Sequence, residues 1–327
     1  MNSLADECWI VTEGAAGMEN QCLGLAERLA LPHRVLRVKV APPWRWFAPR
    51  SLGSPFQHLK SDSDRLTPPW PRLLIGCGRQ SIALSIAVRA ASARRTVTVQ
   101  CQNPRVDPAK FDLVIPPEHD GLVGPHVFPI VGSPNRVTAA TLAEARAQFA
   151  PLFAPLAAPR VAVLVGGSSR SHGHLGERQA RDLVQGLRAV AQGASLMVTT
   201  SRRTDDAVAN LLRTELTGPN IYFWDGEPPN PYFGLLAWAD AIVVTSDSVN
   251  MICEAAGTGK PIQIFRLTAR SARARKFQDS IMQRGIARPF AGRIEQWDYT
   301  PLDETGRAAQ RIQSLLDARA SAPDMRG

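Results

Sequence analysis

The chain has 327 residues, of which 44% are hydrophobic and 20% charged, and its formal net charge at pH 7 is +9. These values are typical of a globular protein with room for two domains, and they exclude a largely disordered chain. The positive charge favours three classes of partner, namely nucleic acid, an anionic membrane surface and anionic substrates. Nucleic acid is not expected as a partner, because no nucleic-acid-binding motif is present and only 6% of residues are aromatic.

Hydrophobic runs and cysteines predict the compartment. No hydrophobic run reaches the roughly 18–20 residues of a membrane-spanning helix, and the N-terminal segment lacks the basic region of a signal peptide. The five cysteines are scattered and have no Cys-x-x-Cys spacing, so neither disulfides nor a zinc site is predicted. His172 and His174 lie in a glycine-rich segment, and no metal is expected there. We predict a cytoplasmic protein, with a peripheral position on the inner face of the cytoplasmic membrane as a further expectation.

The first half of the chain alternates short hydrophobic runs with helical segments, which predicts a parallel, doubly wound sheet. The expected strands lie at residues 9–12, 35–40, 73–75, 96–100 and 113–115. The segment 41–71 differs, because it is rich in proline with interleaved aromatic residues. Two interpretations are open: a long loop that packs its aromatic side chains on the domain, or a flap that faces a lipid or an acceptor.

Titratable side chains follow two of these strands. Glu13 follows the first strand, and Glu118, His119 and Asp120 follow the fifth. At the end of a strand such groups can remove a proton from an acceptor hydroxyl, so all four are candidate catalytic residues. The alternative for residues 116–121 is a turn that Asp120 and the following glycine shape.

A proline-punctuated connector at residues 149–160 marks a domain boundary, and the alternation then restarts. We predict an N-terminal acceptor domain over residues 1–150, a C-terminal nucleotide-sugar donor domain over 151–300, and a helix and tail over 301–327. The predicted fold class is therefore α/β, with two Rossmann-like domains that face a cleft.

The most informative motif is VVTSDSVNMICEAAGTGKP at residues 243–261. A hydrophobic run ends in a small polar cluster, a helical segment with Glu254 follows, and a glycine-rich turn leads to the next strand. The amide groups and positive dipole end of the helix start favour an anion. A carboxylate among small residues needs hydrogen-bond donors, and ribose hydroxyls are suitable ones. The motif predicts a pocket for a nucleotide diphosphate.

Three further strand-end turns of the second domain are expected at the same sheet edge. Glycines allow a close approach of the ligand, paired arginines suit a diphosphate, and an Asn-Pro-Tyr segment can hold a base or a sugar. The alternative for the Ser, Thr and Asp residues is a helix N-cap. A nicotinamide cofactor is not expected, because the turn after the first strand departs from Gly-x-Gly-x-x-Gly. The predicted nucleotide-binding residues are Gly166, Gly167, Ser168, Ser201, Arg202, Arg203, Thr204, Asn230, Tyr232, Thr245, Ser246, Asp247, Ser248, Met251 and Glu254.

Eight blocks of the sequence, within residues 9–300, resemble in order the mitochondrial-fission ELM-type family. The blocks are WIVTEGAAGMENQ, LLIGCGRQS, CQNPR, FDLVIPPEHDG, VLVGGSSRSH, TTSRRT, NPYFGLLAWAD and VVTSDSVNMICEAAGTGKP. The bacterial branch of that family is similar to GT-B glycosyltransferases, including lipooligosaccharide sugar transferases. The last block also resembles the donor site of the peptidoglycan UDP-N-acetylglucosamine transferase, and this resemblance implies that Glu254 binds ribose. Family members carry Gly-His after the first strand, whereas this chain has Gly17-Met18, so the identity of the base stays open.

Together these observations predict a metal-independent GT-B glycosyltransferase without a cofactor. It would move a sugar from a nucleotide-diphosphate donor, with a UDP-sugar favoured, to a lipid-linked or lipooligosaccharide acceptor of the cell envelope. An anionic membrane surface is a further expected partner. Two alternatives are open: a nucleotide-sugar 2-epimerase of the same fold, and a non-catalytic membrane-associated adaptor of the mitochondrial-fission type.

Overall fold

The computed structural model describes residues 5–51, 53–167, 173–268 and 271–321. The strands are β1 (Ala5–Thr12), β2 (His33–Arg37), β3 (Pro71–Cys77), β4 (Val97–Cys101), β5 (Leu113–Ile115), β6 (Arg160–Val165), β7 (Ser195–Thr200), β8 (Ile221–Phe223), β9 (Ala241–Thr245), β10 (Ile262–Phe265) and β11 (Ala287–Pro289). The helices are α1 (Ala16–Arg28), α2 (Trp44–Phe47), α3 (Ser81–Ala91), α4 (Ala139–Gln148), α5 (Ala150–Phe153), α6 (Glu177–Val190), α7 (Asp206–Glu215), α8 (Tyr232–Trp238), α9 (Val249–Ala256), α10 (Ala272–Gln283) and α11 (Glu304–Ser321).

The chain forms two compact units. Unit 1 comprises Met1–Arg136 with Asp303–Gly327, and unit 2 comprises Val137–Leu302. The first boundary thus lies before α4 rather than near residue 150, because α4 packs against α8 of unit 2. The C-terminal helix α11 packs against α1, so the segment predicted as a separate helix and tail is part of unit 1.

Unit 1 contains a five-stranded parallel sheet in the order β2-β1-β3-β4-β5. Alternate residues of β1 are buried on opposite faces, as expected for a sheet that helices cover on both sides. Cys8 and Ile10 pack with residues of α1 and α11, while Trp9 and Val11 pack with residues of α3. This two-sided burial explains why β1 is read as an unbroken hydrophobic run rather than as an alternating one.

Unit 2 contains a six-stranded parallel sheet in the order β11-β10-β9-β6-β7-β8. One face packs against α6 and α7 through a core that includes Val161, Val163, Leu183 and Leu212. Within the described ranges, no helix is both long and hydrophobic enough to cross a membrane.

The proline-rich segment 41–71 packs part of its aromatic content on unit 1. The ring of Trp44 stacks on His58 with a centroid distance of 4.0 Å. In contrast, Trp46 and Phe47 of α2 are 68% and 49% exposed. Trp44 therefore packs on the domain, as the loop interpretation predicts, whereas Trp46 and Phe47 are exposed to solvent.

Candidate functional site

In unit 2 the strand order reverses between β6 and β9. The chain runs outward from β6 through β7 to β8, and then returns to the other side of β6 to form β9. Ligands of open parallel sheets bind beyond the carboxyl ends of strands at such a reversal. We call the turns at residues 166–167, 201–204 and 245–248 the β6–β9 edge. Most of the predicted nucleotide-binding residues lie there, and Ser168 lies outside the described residues.

Hydroxyl groups join the three turns of the β6–β9 edge. The amide of Gly166 donates to Thr245 Oγ1 at 2.7 Å, and Thr204 Oγ1 donates to the Gly166 carbonyl oxygen at 2.7 Å. Thr204 Oγ1 also accepts a hydrogen bond of 3.0 Å from the amide of Ser201. These threonines therefore fix the geometry of the edge, in addition to any contact with a ligand.

The two glycines after β6 are required by the packing of the neighbouring turns. A Cβ atom on Gly166 would lie 2.2 Å from Asp247 Oδ2, and one on Gly167 would lie 2.1 Å from the backbone carbonyl carbon of Arg203. Both distances are far shorter than a van der Waals contact. The absence of a side chain thus lets the turns after β7 and β9 approach β6.

Asp247 carries a buried carboxyl group at this edge. The residue is 2% exposed, and neither carboxyl oxygen has a hydrogen bond of standard geometry to any described residue. Burial raises the pKa of Asp247 above its ordinary value, although the neighbouring Thr245 hydroxyl and the charge of Arg203 lower it. The amide of Gly167 also lowers this pKa, so neighbouring groups of the chain supply part of what a buried carboxyl group needs. An additional hydrogen-bond donor at this position would stabilise the group further.

The two serines of the same turn serve the fold. Ser246 is buried, and its Oγ accepts a hydrogen bond of 2.9 Å from the amide of Leu267. Ser248 is the N-cap of α9, because its Oγ accepts from the amide of Met251 at 3.4 Å. Ser248 is therefore an N-cap, as the alternative interpretation predicts. Met251 lies half-buried in the first turn of α9.

Glu254 and Tyr232 form a buried pair behind the start of α9. The Tyr232 hydroxyl donates a 2.5 Å hydrogen bond to Glu254 Oε2, and Glu254 is 6% exposed. Burial raises the pKa of Glu254 to about 7, although the Tyr232 hydroxyl lowers it, and burial also raises the pKa of Tyr232. The side chain of Asn230 accepts from the amide of Tyr232 at 3.0 Å and fixes the start of α8.

Two exposed arginines, Arg202 and Arg203, follow β7. Their guanidinium groups make no hydrogen bond or ion pair with any described residue. Arg203 lies close enough to Asp247 to lower its pKa. Guanidinium groups in this setting are suitable ligands for phosphate oxygens.

In unit 1, Glu13 contacts the start of α3. Its Oε1 accepts from the amide of Gln80 and its Oε2 from Gln80 Nε2, both at 2.8 Å. The carboxylate therefore satisfies a free N–H group of the helix terminus. Local sequence patterns do not reveal this bond, because Gln80 follows Glu13 by 67 residues.

The second group of candidate catalytic residues lies elsewhere on the same sheet. Glu118, His119 and Asp120 form a partly buried 3₁₀ turn after β5, the edge strand. Glu13 follows β1, and with a strand spacing of about 4.8 Å the two groups lie about 14 Å apart across β3 and β4. The structure thus does not combine these four residues into a single acid–base cluster.

Lys260 is a positioning residue that the sequence motif did not assign. Its Nζ donates to the carbonyl oxygens of Leu236 and Ala237 at 2.6 and 2.8 Å, at the C-terminal end of α8. Burial and the charge of Arg146 together lower its pKa to about 8, although the charge of Asp240 raises it. Since α8 carries Tyr232, Lys260 helps to hold the Tyr232–Glu254 pair.

Among the described residues, no group of three or more His, Cys, Asp or Glu side chains is arranged to hold a metal ion. His172 lies outside the described residues.

These features define a class: α/β proteins of GT-B-like fold, built from two Rossmann-like parallel-sheet units. The UDP-GlcNAc 2-epimerase of Methanocaldococcus jannaschii has the same fold, with a TM-score of 0.55 and 11% identity over 94% of this chain and 99% of that chain. A structure of the same enzyme in complex with UDP-GlcNAc and UDP gives a TM-score of 0.51 and 10% identity, with the same coverage. The predicted fold class is confirmed.

The family follows from the sequence comparison. The family model described as "Mitochondrial fission ELM1" matches residues 16–316, and the chain belongs to this family. The Mitochondrial fission protein ELM1 of Arabidopsis thaliana is 34% identical over 277 residues, which is 76% of this chain. The alignment spans 65% of the length of that relative. The resemblance that the eight sequence blocks indicate is confirmed.

Proposed function

We propose that the chain binds a nucleotide-diphosphate sugar, with a UDP-sugar favoured, at the β6–β9 edge and transfers the sugar to an acceptor. The observation that carries the proposal is the buried carboxyl group of Asp247, which has no hydrogen bond of standard geometry to a described residue, beside the exposed guanidinium of Arg203. A ligand that carries hydrogen-bond donors and phosphate groups would bind both side chains: its O–H or N–H groups would donate to Asp247, and its phosphate oxygens would accept from Arg203. Nucleotide diphosphates have both features, and the epimerase described above is a structural neighbour whose complex contains UDP-GlcNAc and UDP.

Glu254 is suited to accept from the ribose even while Tyr232 is bound to it. Tyr232 occupies Oε2, and Oε1 has no hydrogen-bond partner among the described residues. A carboxylate has about four acceptor positions on its two oxygens, so ribose hydroxyls can donate to Oε1. In this proposal Arg202 and Arg203 hold the diphosphate and stabilise the charge that develops on the departing nucleotide.

The transfer step requires a base for the acceptor hydroxyl. The base removes the proton, the acceptor oxygen forms a bond to the anomeric carbon, and the bond from that carbon to the diphosphate oxygen breaks. Glu13 is the weaker candidate, because both of its oxygens accept from Gln80. Glu118, His119 and Asp120 therefore remain the proposed bases, and the proposed acceptor is a lipid-linked saccharide or lipooligosaccharide of the cell envelope.

Calorimetric titration with UDP and UDP-GlcNAc tests the donor site. Arg203→Gln and Glu254→Gln are expected to weaken binding by about tenfold or more, because each removes a charged hydrogen bond. Arg188→Gln is the matched control, since it removes the same charge from the far end of α6 in the same unit. A wild-type protein that binds neither ligand, or a control variant that loses as much affinity as Arg203→Gln, would refute the proposal.

A function without sugar transfer is the second candidate. It is favoured by the turn after β1, where Met18 stands close to Gly78 and Glu13 is engaged by Gln80. The chain would then act as an adaptor or a nucleotide-binding protein. Product analysis separates the possibilities: transfer releases UDP only with an acceptor, whereas epimerisation converts UDP-GlcNAc without one. An unchanged donor in both reactions would support the second candidate.

A further inference from the structure

A cavity of about 470 Å³ lies at the ends of β3 and β4 in unit 1. Its wall includes Arg79 and Arg105, and the residues Gln100, Gln102 and Asn103. This volume is in the range of small-molecule sites. The CQNPR block, residues 101–105, also lines this cavity. It has no role in the proposed donor site.

The charge of this cavity is positive. None of the described residues that line it is acidic. The Arg105 side chain is exposed and has no hydrogen bond or ion pair with a described residue. Arg79 donates from Nε and Nη2 to the carbonyl oxygens of Ala48 and Trp46, which orients the guanidinium and leaves Nη1 available. The Glu13 carboxylate lies beside Gly78 of the wall, with Oε1 2.9 Å from the position of a Cβ atom on that glycine. It forms no ion pair with Arg79 or Arg105, and its single charge leaves the two arginines in excess.

The polar part of the wall is suited to hydroxyl groups. Gln102 is half-buried, and its Nε2 donates to Gln21 Oε1 at 3.3 Å, which leaves its own Oε1 as an acceptor. Gln102 and Arg105 have φ angles of 69° and 57°, in the left-handed region that residues other than glycine seldom adopt. Asn103 Oδ1 accepts from the amide of Arg105 at 3.0 Å and holds the turn. A fixed turn therefore presents amide and guanidinium groups to the same space.

We infer that this cavity binds a phosphate-bearing saccharide. Arg79 and Arg105 contact the phosphate, because guanidinium groups pair with phosphate oxygens through two parallel hydrogen bonds. The amide groups of Gln102 and Asn103 contact the hydroxyls, whereas the Gln100 side chain packs against Gly76 beneath the surface of the cavity. That this ligand is the acceptor of the transfer rests on the proposed function; its binding to the cavity does not.

Calorimetric titration of the full chain with glucose 6-phosphate, glucose and inorganic phosphate tests the inference. We expect saturable binding of glucose 6-phosphate that is tighter than that of either other probe. Arg105→Gln should weaken it by about tenfold or more. Arg94→Gln is the matched control, because Arg94 is also an exposed arginine of unit 1 with a left-handed backbone, at φ 61°, and does not line the cavity.

A second variant separates the saccharide from the phosphate. Gln102→Met should weaken the binding of glucose 6-phosphate several-fold and leave that of inorganic phosphate unchanged, because only the hydroxyls contact the amide. The inference is overturned if glucose 6-phosphate does not saturate the protein, if inorganic phosphate binds equally tightly, or if Arg94→Gln has the same effect as Arg105→Gln. A parallel titration with UDP keeps the two proposals distinct, since Arg105→Gln should retain the UDP affinity of the wild type. If the wild-type protein does not bind UDP, the proposed donor site is refuted, whereas the result for the saccharide is unaffected.

Discussion

The hydroxyl group of Tyr232 donates a 2.5 Å hydrogen bond to the buried carboxyl group of Glu254, across 22 residues of sequence. Tyr232 begins α8 and Glu254 lies in α9, so the bond depends on how the two helices pack beside the sheet. Lys260 holds the other end of α8 through two backbone carbonyls. Tyr232 and Glu254 are both predicted nucleotide-binding residues, and they contact each other without a ligand.

The raised pKa of Glu254 predicts that this part of the protein loses stability as the pH rises. The pKa is about 7 in the folded chain against an ordinary value of 4.5, so folding favours the neutral form. The free energy of unfolding should then fall between about pH 4.5 and pH 7, by about 3 kcal/mol at most. Glu254→Gln removes this dependence and should be stabilised relative to the wild type at pH 8 but not at pH 5. Urea unfolding at both pH values measures the effect, and an equal difference at pH 5 and pH 8 would contradict it.

The same ionisation should govern nucleotide binding. An ionised carboxylate accepts from ribose hydroxyls more strongly than a neutral one, so the affinity for UDP should rise from pH 6 to pH 8. The increase should disappear in Glu254→Gln. Arg188→Gln serves as the control and should keep the pH profile of the wild type. If the UDP affinity of Glu254→Gln still rises as much between pH 6 and pH 8, ionisation of Glu254 is not the cause of the rise.

Gly167 should tolerate no side chain. A Cβ atom at this position would overlap the backbone of Arg203, so Gly167→Ala must displace the turn after β7. We expect a loss of about 1–3 kcal/mol in the free energy of unfolding, and weaker UDP binding because Arg202 and Arg203 move. Gly193→Ala is the matched control, because nothing lies within 4 Å of a Cβ atom there. Thermal unfolding and UDP titration of the two variants provide the comparison, and similar behaviour of both would refute the packing argument.

Glu13 should contribute to stability rather than to proton transfer. Because its two carboxyl oxygens accept from Gln80, Glu13→Ala should reduce the free energy of unfolding by about 1–2 kcal/mol. Glu13→Gln retains one acceptor oxygen and should lose less. Once a transfer assay exists, Glu13→Gln should keep most of the activity. A variant with wild-type stability and no activity would instead identify Glu13 as the base.

The exposed aromatic pair of α2 should bind anionic lipid. Trp46 and Phe47 are 68% and 49% exposed and lie beside the exposed basic residues Arg45 and Arg50. The double variant Trp46→Ser, Phe47→Ser should lose binding to phosphatidylglycerol vesicles without a change in thermal stability. Val123→Ser is the control, since Val123 is an exposed hydrophobic residue of unit 1 outside α2. Sedimentation with vesicles measures this, and unchanged binding of the double variant would exclude α2 as the contact.

The alternation of hydrophobic runs and helical segments was sufficient to predict both parallel sheets. Strands such as β1 and β9 are buried on both faces, and this burial leaves a continuous hydrophobic run in the sequence. Polar residues at strand ends also identified the β6–β9 edge, because the carboxyl ends of parallel strands lie together. The helical period of α11 was equally visible in the sequence.

The partners of these elements could not be predicted from local patterns. A hydrophobic stripe on α11 is compatible with either unit, and only the complementary face of α1, with Cys22 and Leu25, assigns it to unit 1. The same holds for the hydroxyl of Thr245, which could have faced a ligand and instead accepts from the amide of Gly166.

The sequence by itself determined the fold class, the family and the sheet edge at which polar residues gather, because periodicity and strand-end composition are local properties. Only the tertiary structure decided which of those polar groups are engaged within the chain and which have no partner among the described residues. Hydrogen bonds such as those between Glu13 and Gln80, or between Tyr232 and Glu254, join distant segments. Their formation, and the lack of such a bond at Asp247, depends on the packing of whole elements.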